Sequence, residues 1–211
     1  GGATWAADGK SYFYTLQDDN HRPLKTYHHM IGTAQSADRL VLEEKDTGMF
    51  TGVGKTHSDK YILIDIHDHD TSEVWMLDAA WPLEAPKVIA PRVAGIEYDV
   101  EHWNDRLLIK TNADGAEDYK IVTAPVAAPS RQNWTDLIAH RPGIFLVGFI
   151  VLKNWLIRME RENALPRIVV RDMASGEEHA IAFDEEAYSL GFGEMREYDT
   201  DTLRFTYSSM T

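Results

Sequence analysis

Short runs dense in aromatic and β-branched residues recur along the chain at a nearly constant interval, each preceded by a tight turn. They begin at Tyr12, Tyr61, Leu107, Trp155 and Leu203, with spacings of 49, 46, 48 and 48 residues by subtraction. A fixed interval of this size marks a repeat architecture, in which no unit can bury its apolar surface alone and neighbours stack to form the core.

Each unit contains the same succession of strand-like runs. The second runs read YFYTL (12–16), YILIDI (61–66), LLIKT (107–111) and WLIRM (155–159), in the residue types that suit a half-buried pleated surface. The third runs follow: KTYHHMIG (25–32), SEVWMLD (72–78), DYKIVTA (118–124) and RIVVRDM (167–173). A fourth set closes each unit: RLVLEEK (39–45), PKVIAPR (86–92), TDLIAHR (135–141) and HAIAFDE (179–185). Between runs, Asp8-Gly9, Asp114-Gly115 and Ser175-Gly176 tolerate the positive φ of tight antiparallel connections. The first runs FTGVGKT (50–56), FLVGFIVL (145–152) and SLGFGEM (189–195) carry interior glycines, which weaken an isolated strand but allow close approach of neighbouring backbones, as expected where units crowd.

Four-stranded antiparallel units in series predict an all-β fold, a β-propeller. The expected blades are residues 1–48, 49–93, 94–142 and 143–186, with two strands of a fifth in 187–211. A start at Gly1-Gly2 without methionine and an end inside a blade predict a segment of a longer protein, folded as an open arc. Its unpaired blade faces and edges are expected to favour self-association.

Composition narrows the function. The chain has 44% hydrophobic and 26% charged residues, an ordinary globular balance. Lys plus Arg number 21 against 34 Asp plus Glu, a net charge of −13, which argues against nucleic acid and anionic membranes as partners. The absence of cysteine excludes a disulfide scaffold and points to a reducing, cytoplasmic setting. The apolar stretch 143–157 is interrupted by Lys153 and Asn154 and reads as two strands and a turn rather than a membrane span.

Candidate chemistry is sparse. His67-Asp68-His69-Asp70 has the residue types of metal ligands, but it falls in a hairpin loop with no third ligand fixed by spacing. His28 and His29 project to opposite faces of one strand and are read as structural. Asn133-Trp134-Thr135 matches a glycosylation acceptor, a pattern too short to carry weight. Gly52-Val53-Gly54-Lys55-Thr56 lacks the spacing of a phosphate-binding loop, and no G-x-S-x-G nucleophile elbow occurs. The six tryptophans, Trp5, Trp75, Trp81, Trp103, Trp134 and Trp155, are expected to fill inter-blade cores. Acidic stretches at Glu43-Glu44-Lys45-Asp46 and Asp184-Glu185-Glu186 follow the outermost strand and are expected to be solvated rim or protection of an otherwise sticky sheet edge. No catalytic, cofactor-binding or metal-binding residue is assigned.

Several segments in order carry a family resemblance: W-x-x-D-x-x-x-x-x-Y over residues 5–14, then His29-Met30-Ile31-Gly32-Thr33 and DRLVLEEKD over 38–46. Further on come Lys55-Thr56 with Ser58, Thr71-Ser72-Glu73-Val74, Pro91-Arg92 with Glu97-Tyr98, Ile181-Ala182-Phe183-Asp184 through Tyr188, and Tyr207-Ser208-Ser209-Met210-Thr211. In this combination the chain resembles the propeller domain of the oligopeptidase B (protease II) group of the prolyl oligopeptidase family of serine peptidases. The resemblance implies a seven-bladed propeller covering an α/β-hydrolase domain that holds the Ser, Asp and His of the triad, none of which maps onto this sequence. It also implies cleavage of short peptides after Arg or Lys, with the propeller restricting entry. The expected partners are therefore the hydrolase domain and basic oligopeptides, with no cofactor and no activity of the chain alone. Glu97, Asp99, Glu101 and Glu194 are candidate carboxylates for attracting basic peptides or for pairing with cations of the hydrolase domain. A free-standing propeller interaction module is the alternative, although the WD and Gly-His signatures of such scaffolds are absent. A propeller with its own carboxylate site is a third, requiring convergent acids near the hub.

Overall fold

The computed structural model describes residues 2–209; Met210 and Thr211 of the last motif lie outside the described residues. The first sheet consists of β1 (Ala3–Trp5), β2 (Ser11–Gln17), β3 (Pro23–Met30) and β4 (Arg39–Glu43). The second has β5 (Phe50–Lys55), β6 (Tyr61–His67), β7 (Ser72–Asp78) and β8 (Lys87–Val88), and the third β9 (Tyr98–Trp103), β10 (Arg106–Thr111), β11 (Lys120–Pro125) and β12 (Thr135–Ile138). The fourth comprises β13 (Ile144–Val151), β14 (Trp155–Glu162), β15 (Leu165–Asp172) and β16 (Glu178–Ala180), and β17 (Tyr188–Phe192) pairs with β18 (Phe205–Ser209) in a fifth sheet. Strands within each sheet follow chain order and every pairing is antiparallel. These sheets are four propeller blades and part of a fifth, set in an open arc.

The first strands of neighbouring blades approach each other, β1 with β5 and β9 with β13, which places them on the inner side of the arc. Alternation along the strands divides the core into four inter-blade layers. Phe13, Ile62, Ile64 and Leu77 join blades one and two. Val74, Tyr98, Leu107, Ile109 and Val122 join two and three. Leu108, Ile121, Leu146 and Leu156 join three and four, and Ile157, Met159 and Ile168 meet Leu190 and Phe192 of the fifth. Fully burying each such aliphatic side chain contributes about 1.5–3 kcal/mol, so each blade is held mainly by its neighbours.

The turns follow the chemistry of their residues. Gly9, Gly115 and Gly176 take φ of 62°, 79° and 77°, as their positions after Asp or Ser predict. Asn163 and Ala164, at φ 50° and 67°, form the two-residue link between the paired residues Glu162 and Leu165, the geometry of a type I′ hairpin.

The fourth strands are shorter than the sequence pattern suggests. In 86–92 regular pairing ends at Val88. Ile89 and Ala90 then turn into the core, 1% and 3% exposed, where the Tyr98 hydroxyl donates to the Ala90 carbonyl at 2.6 Å. Pro91, lacking an N–H, cannot extend the ladder.

The glycines of the first runs match the expectation of close backbone approach only in part. A Cβ on Gly52 would lie 2.4 Å from Asp65 Oδ1, and one on Gly191 would lie 2.7 Å from Thr206 Oγ1. At these two positions the space is taken by a cross-strand side chain of the same blade. A Cβ on Gly193 would meet the Arg204 backbone at 3.0 Å, the close backbone approach expected, and one on Gly148 would meet Phe192 of blade five at 3.9 Å. Gly54 borders open space.

Two tryptophans depart from core packing. Trp5 is 53% exposed on the outward face of blade one, and Trp81, in the β7–β8 loop, is 63% exposed. Trp134 packs edge-on against Tyr98, and Trp75, Trp103 and Trp155 flank the inter-blade layers.

Candidate functional site

A cleft of about 400 Å³ lies between blades two and three, bordered by the charged residues Lys55, Asp65, Asp68, Glu97 and Asp99. Its opening has a sequence cause: Gly54 on β5 leaves space that a side chain would fill. Asp99 is 70% exposed and meets Lys110 at 3.2 Å. The Glu97 carboxylate accepts the Tyr119 hydroxyl at 2.7 Å, and burial together with this carboxylate pushes the Tyr119 phenol up from its ordinary value. Asp65 pairs with His67 at 2.9 Å.

Of the four carboxylates singled out from the sequence, Glu97 and Asp99 line this cleft. Glu101 is turned toward the β5–β6 turn and accepts the backbone N–H of His57 at 2.9 Å. Glu194 lies on the long β17–β18 loop, paired with Arg196. The four therefore do not converge.

His67 ends β6, and Asp68, His69 and Asp70 form the loop to β7. Asp68 Oδ1 accepts the N–H groups of Asp70 and Thr71 at 3.0 and 2.8 Å, and no group of three or more His, Asp or Glu arranged for a metal ion occurs among the described residues. His28 and His29 separate as alternation requires. His28 is buried against Phe13, whereas His29 faces the other way and bonds Asp38 at 2.7 Å. Gly52, Val53, Gly54 and Lys55 lie within β5. The Asn133 amide donates to the Ala128 carbonyl at 3.0 Å.

One arrangement tests for hidden hydrolytic chemistry. The Ser58 hydroxyl lies 2.8 Å from His102 Nδ1. His102 Nε2 faces the Asn104 carbonyl, which accepts only, so Nε2 carries the proton and Nδ1 receives the Ser58 O–H. Burial holds the imidazole below its ordinary pKa and neutral. The third member is thus a backbone carbonyl rather than a carboxylate able to stabilise an imidazolium. Ser58 also bonds Thr56, and the pair closes a turn.

The residues that reasoning from sequence passed over are buried charges between blades. Glu44, read as solvated rim, is 8% exposed and receives a two-pronged contact from Arg92 at 2.8 and 3.2 Å, tying blade one to blade two. Burial would raise the Glu44 carboxyl, but Arg92 holds it low. Between blades three and four, Arg158 and Glu160 are 1% and 0% exposed and lie 2.9 Å apart. Glu178, Arg167 and Arg141 join them, with Arg171 on Glu178 and Glu162 on Arg167. The signal was present in the alternation Leu156-x-Arg158-x-Glu160, which puts both charges on the face of a core leucine.

Known proteins place this architecture. The family described as prolyl oligopeptidase, N-terminal beta-propeller domain, matches residues 1–211. Dipeptidyl aminopeptidase BI of Pseudoxanthomonas mexicana is 40% identical over 98% of this chain and 28% of its own length. Protease 2 of Moraxella lacunata is 32% identical over 100% of this chain and 30% of its own. The structure of oligopeptidase B from Leishmania major superposes with a TM-score of 0.92 at 28% identity, over 99% of this chain and 31% of that one. Oligopeptidase B from Trypanosoma brucei with covalently bound antipain, in a closed form, gives 0.93 at 27%, over 100% and 31%. The chain thus spans less than a third of the length of these relatives. From the match across every blade, it belongs to the prolyl oligopeptidase family as its N-terminal β-propeller domain.

Proposed function

We propose that this chain is the noncatalytic propeller part of a serine oligopeptidase that cleaves short peptides after Arg or Lys. In this reading it shields a reaction centre on an α/β-hydrolase domain elsewhere in the parent polypeptide. The observation that carries it is the likeness to oligopeptidase B, with TM-scores of 0.92 and 0.93 through essentially the whole chain. Physical features agree. A stack of tightly packed blades is a rigid wall, able to turn away folded proteins while domain motion admits flexible peptides. A net charge of −13 and the acid-lined cleft favour approach of cationic peptides. The aromatic outward face of blade one, with Trp5, Tyr12 and Tyr14, is where we place docking of further propeller blades or, in the isolated chain, self-association. The absence of cysteine suits a cytoplasmic setting.

A second reading, removal of dipeptides from a free amino terminus, is favoured by the 40% identity to a dipeptidyl aminopeptidase. The free-standing interaction module has less support, because the similar proteins are peptidases of more than three times this length. The parent protein should be assayed by mass spectrometry on a peptide with one internal Arg, its amino terminus free or acetylated. Cleavage after Arg in both forms is expected. Dipeptide release from the free form alone would replace the first reading with the second, and cleavage of neither would overturn both.

A further inference from the structure

The turns joining first to second strands lie on one side of the arc, and in the first four blades they are short: residues 6–10, 56–60, 104–105 and 152–154. The corresponding segment of blade five, 193–204, is far longer and runs back across its neighbours. The Tyr198 carbonyl accepts the Lys153 N–H at 3.0 Å, and Lys153 Nζ reaches Asp199 at 2.6 Å. The Lys153 carbonyl in turn accepts the Trp103 indole N–H at 2.8 Å, and Asp201 accepts that of Trp155 at 2.8 Å. At its far end His57 Nε2 donates to the Glu197 carbonyl at 3.3 Å, and the His57 ring packs against Tyr198. Blade five thereby touches blade two, 140 residues away in sequence.

Glu101 sits where these contacts meet. Its carboxylate accepts the N–H groups of His57 and His102 at 2.9 and 3.3 Å, and its charge, after burial, raises the Tyr198 phenol. The surrounding charges are engaged elsewhere: Lys55 with Asp59, Lys110 with Asp99, Lys153 with Asp199 and Arg196 with Glu194. His102 is held by Ser58 and Asn104. Lys60, Asp105, Glu197, Asp201 and Arg204 are the remaining charged groups of the turns of blades two to four and of the long loop. Among the described residues no cation forms an ion pair with Glu101. Glu101 is half-buried, and its ionised carboxylate would have two backbone N–H donors but no cationic side chain beside it.

We propose that residues 193–204 form a strap that clips blade five to blade two through His57, and that ionisation of Glu101 loosens it. Burial raises the Glu101 carboxyl from 4.5 to about 7. The sign follows from linkage. The closed strap binds the Glu101 proton more tightly than the open one, so closure is favoured in acid and weakens as pH rises through the ordinary carboxylate range to about 7.

The test is hydrogen–deuterium exchange of residues 193–204 between pH 5.5 and 8.5, corrected for the intrinsic rate, in the 211-residue chain and its Glu101→Gln variant. The neutral amide keeps an acceptor for the His57 N–H. Protection of the strap is expected to fall on the order of tenfold or more with rising pH in the parent chain and to stay level in Glu101→Gln, with protection at Leu108 and Ile109 unchanged. Equal pH dependence in both, or none in the parent chain, would overturn the proposal. Should Glu101→Gln fail to fold, a carboxyl-carbon NMR titration of Glu101 in Tyr198→Ala serves instead. A return toward the ordinary glutamate range supports the strap, and an unchanged titration overturns it.

Discussion

Replacing Glu160 with alanine is expected to destabilise the chain by about 3–5 kcal/mol, the cost of leaving a buried charge without its partner. The site is at the interface of blades three and four. Arg158 Nε donates to Glu160 at 2.9 Å with both side chains shut off from water. Arg167 reaches the other Glu160 oxygen at 2.9 Å, and Arg141 adds a third cation. Burial alone would raise the Glu160 carboxyl, but these guanidinium groups hold it below its ordinary value. Once it is gone, Arg158 retains only Glu178 and Arg167 retains Glu162, while Arg141, 41% exposed, turns to water. The combined variant Arg158→Met/Glu160→Leu removes charge and counter-charge together, and should lie within about 2 kcal/mol of the parent chain. Urea denaturation of both variants checks the contrast. Equal losses would mean that shape rather than charge compensation governs this interface.

The same cluster sets an acid limit. Glu178, bonded by Arg158 and Arg171, is drawn down from 4.5 to about 2, chiefly by the hydrogen bonds from Arg158. Its folded-state value is depressed, so its contribution is present above the ordinary carboxylate range and is lost as pH falls from 4.5 toward 2.

Phe13→Ala is expected to cost about 3–5 kcal/mol and to change the form of unfolding. Phe13 is fully buried and packs with Ile62 and Ile64 of blade two. Within this chain blade one has a single neighbour, so the substitution weakens the principal apolar contact holding it. Stability in stacked units is a sum of unit and nearest-neighbour terms. Blade one should therefore come away first, giving hydrogen exchange in β2 and β3 faster than in β10 and β14. A uniform rise in exchange across all blades would show that the arc unfolds as one body.

How much was legible in the sequence follows from which physical rule each feature obeys. The second strands of blades one to three were readable to within a residue at each end, because runs such as Tyr61 to Ile66 are aromatic and β-branched and bounded by turn residues. That of blade four continues three residues beyond Met159, and that of blade five begins at Phe205 rather than Leu203. The third strand of blade two, Ser72–Asp78, was likewise plain. Fourth strands were overestimated. Apolar residues such as Ile89 and Ala90 look like strand, yet regular pairing ends at Val88. Ile89 makes one further bond to the Val74 carbonyl at 2.9 Å, and both residues fill an inter-blade layer where Ala90 meets Tyr98.

Turn signals were visible where glycine supplied positive φ, but Asn163-Ala164 passed unnoticed because alanine seldom adopts it. Buried ion pairs were the largest omission. Arg92 meets Glu44 across 48 residues, a pairing no local pattern encodes, so an acidic run that looks solvated conceals an inter-blade clamp. The four candidate carboxylates illustrate the same limit. Glu97, Asp99 and Glu101 stand at alternate positions, which alternation alone would place on one face, yet Glu97 precedes β9 and is held by Tyr119, while Glu101 is held by the β5–β6 turn. The reach of residues 193–204 back to His57 lies beyond any local reading.

The account rests on a propeller arc without a reaction centre of its own, and a serine-reactive fluorophosphonate tests this most directly. Intact-mass analysis after exposure should show no adduct on the 211-residue chain under conditions in which the parent protein takes up one equivalent. Stoichiometric labelling of this chain, at Ser58 for example and abolished by His102→Ala, would contradict it.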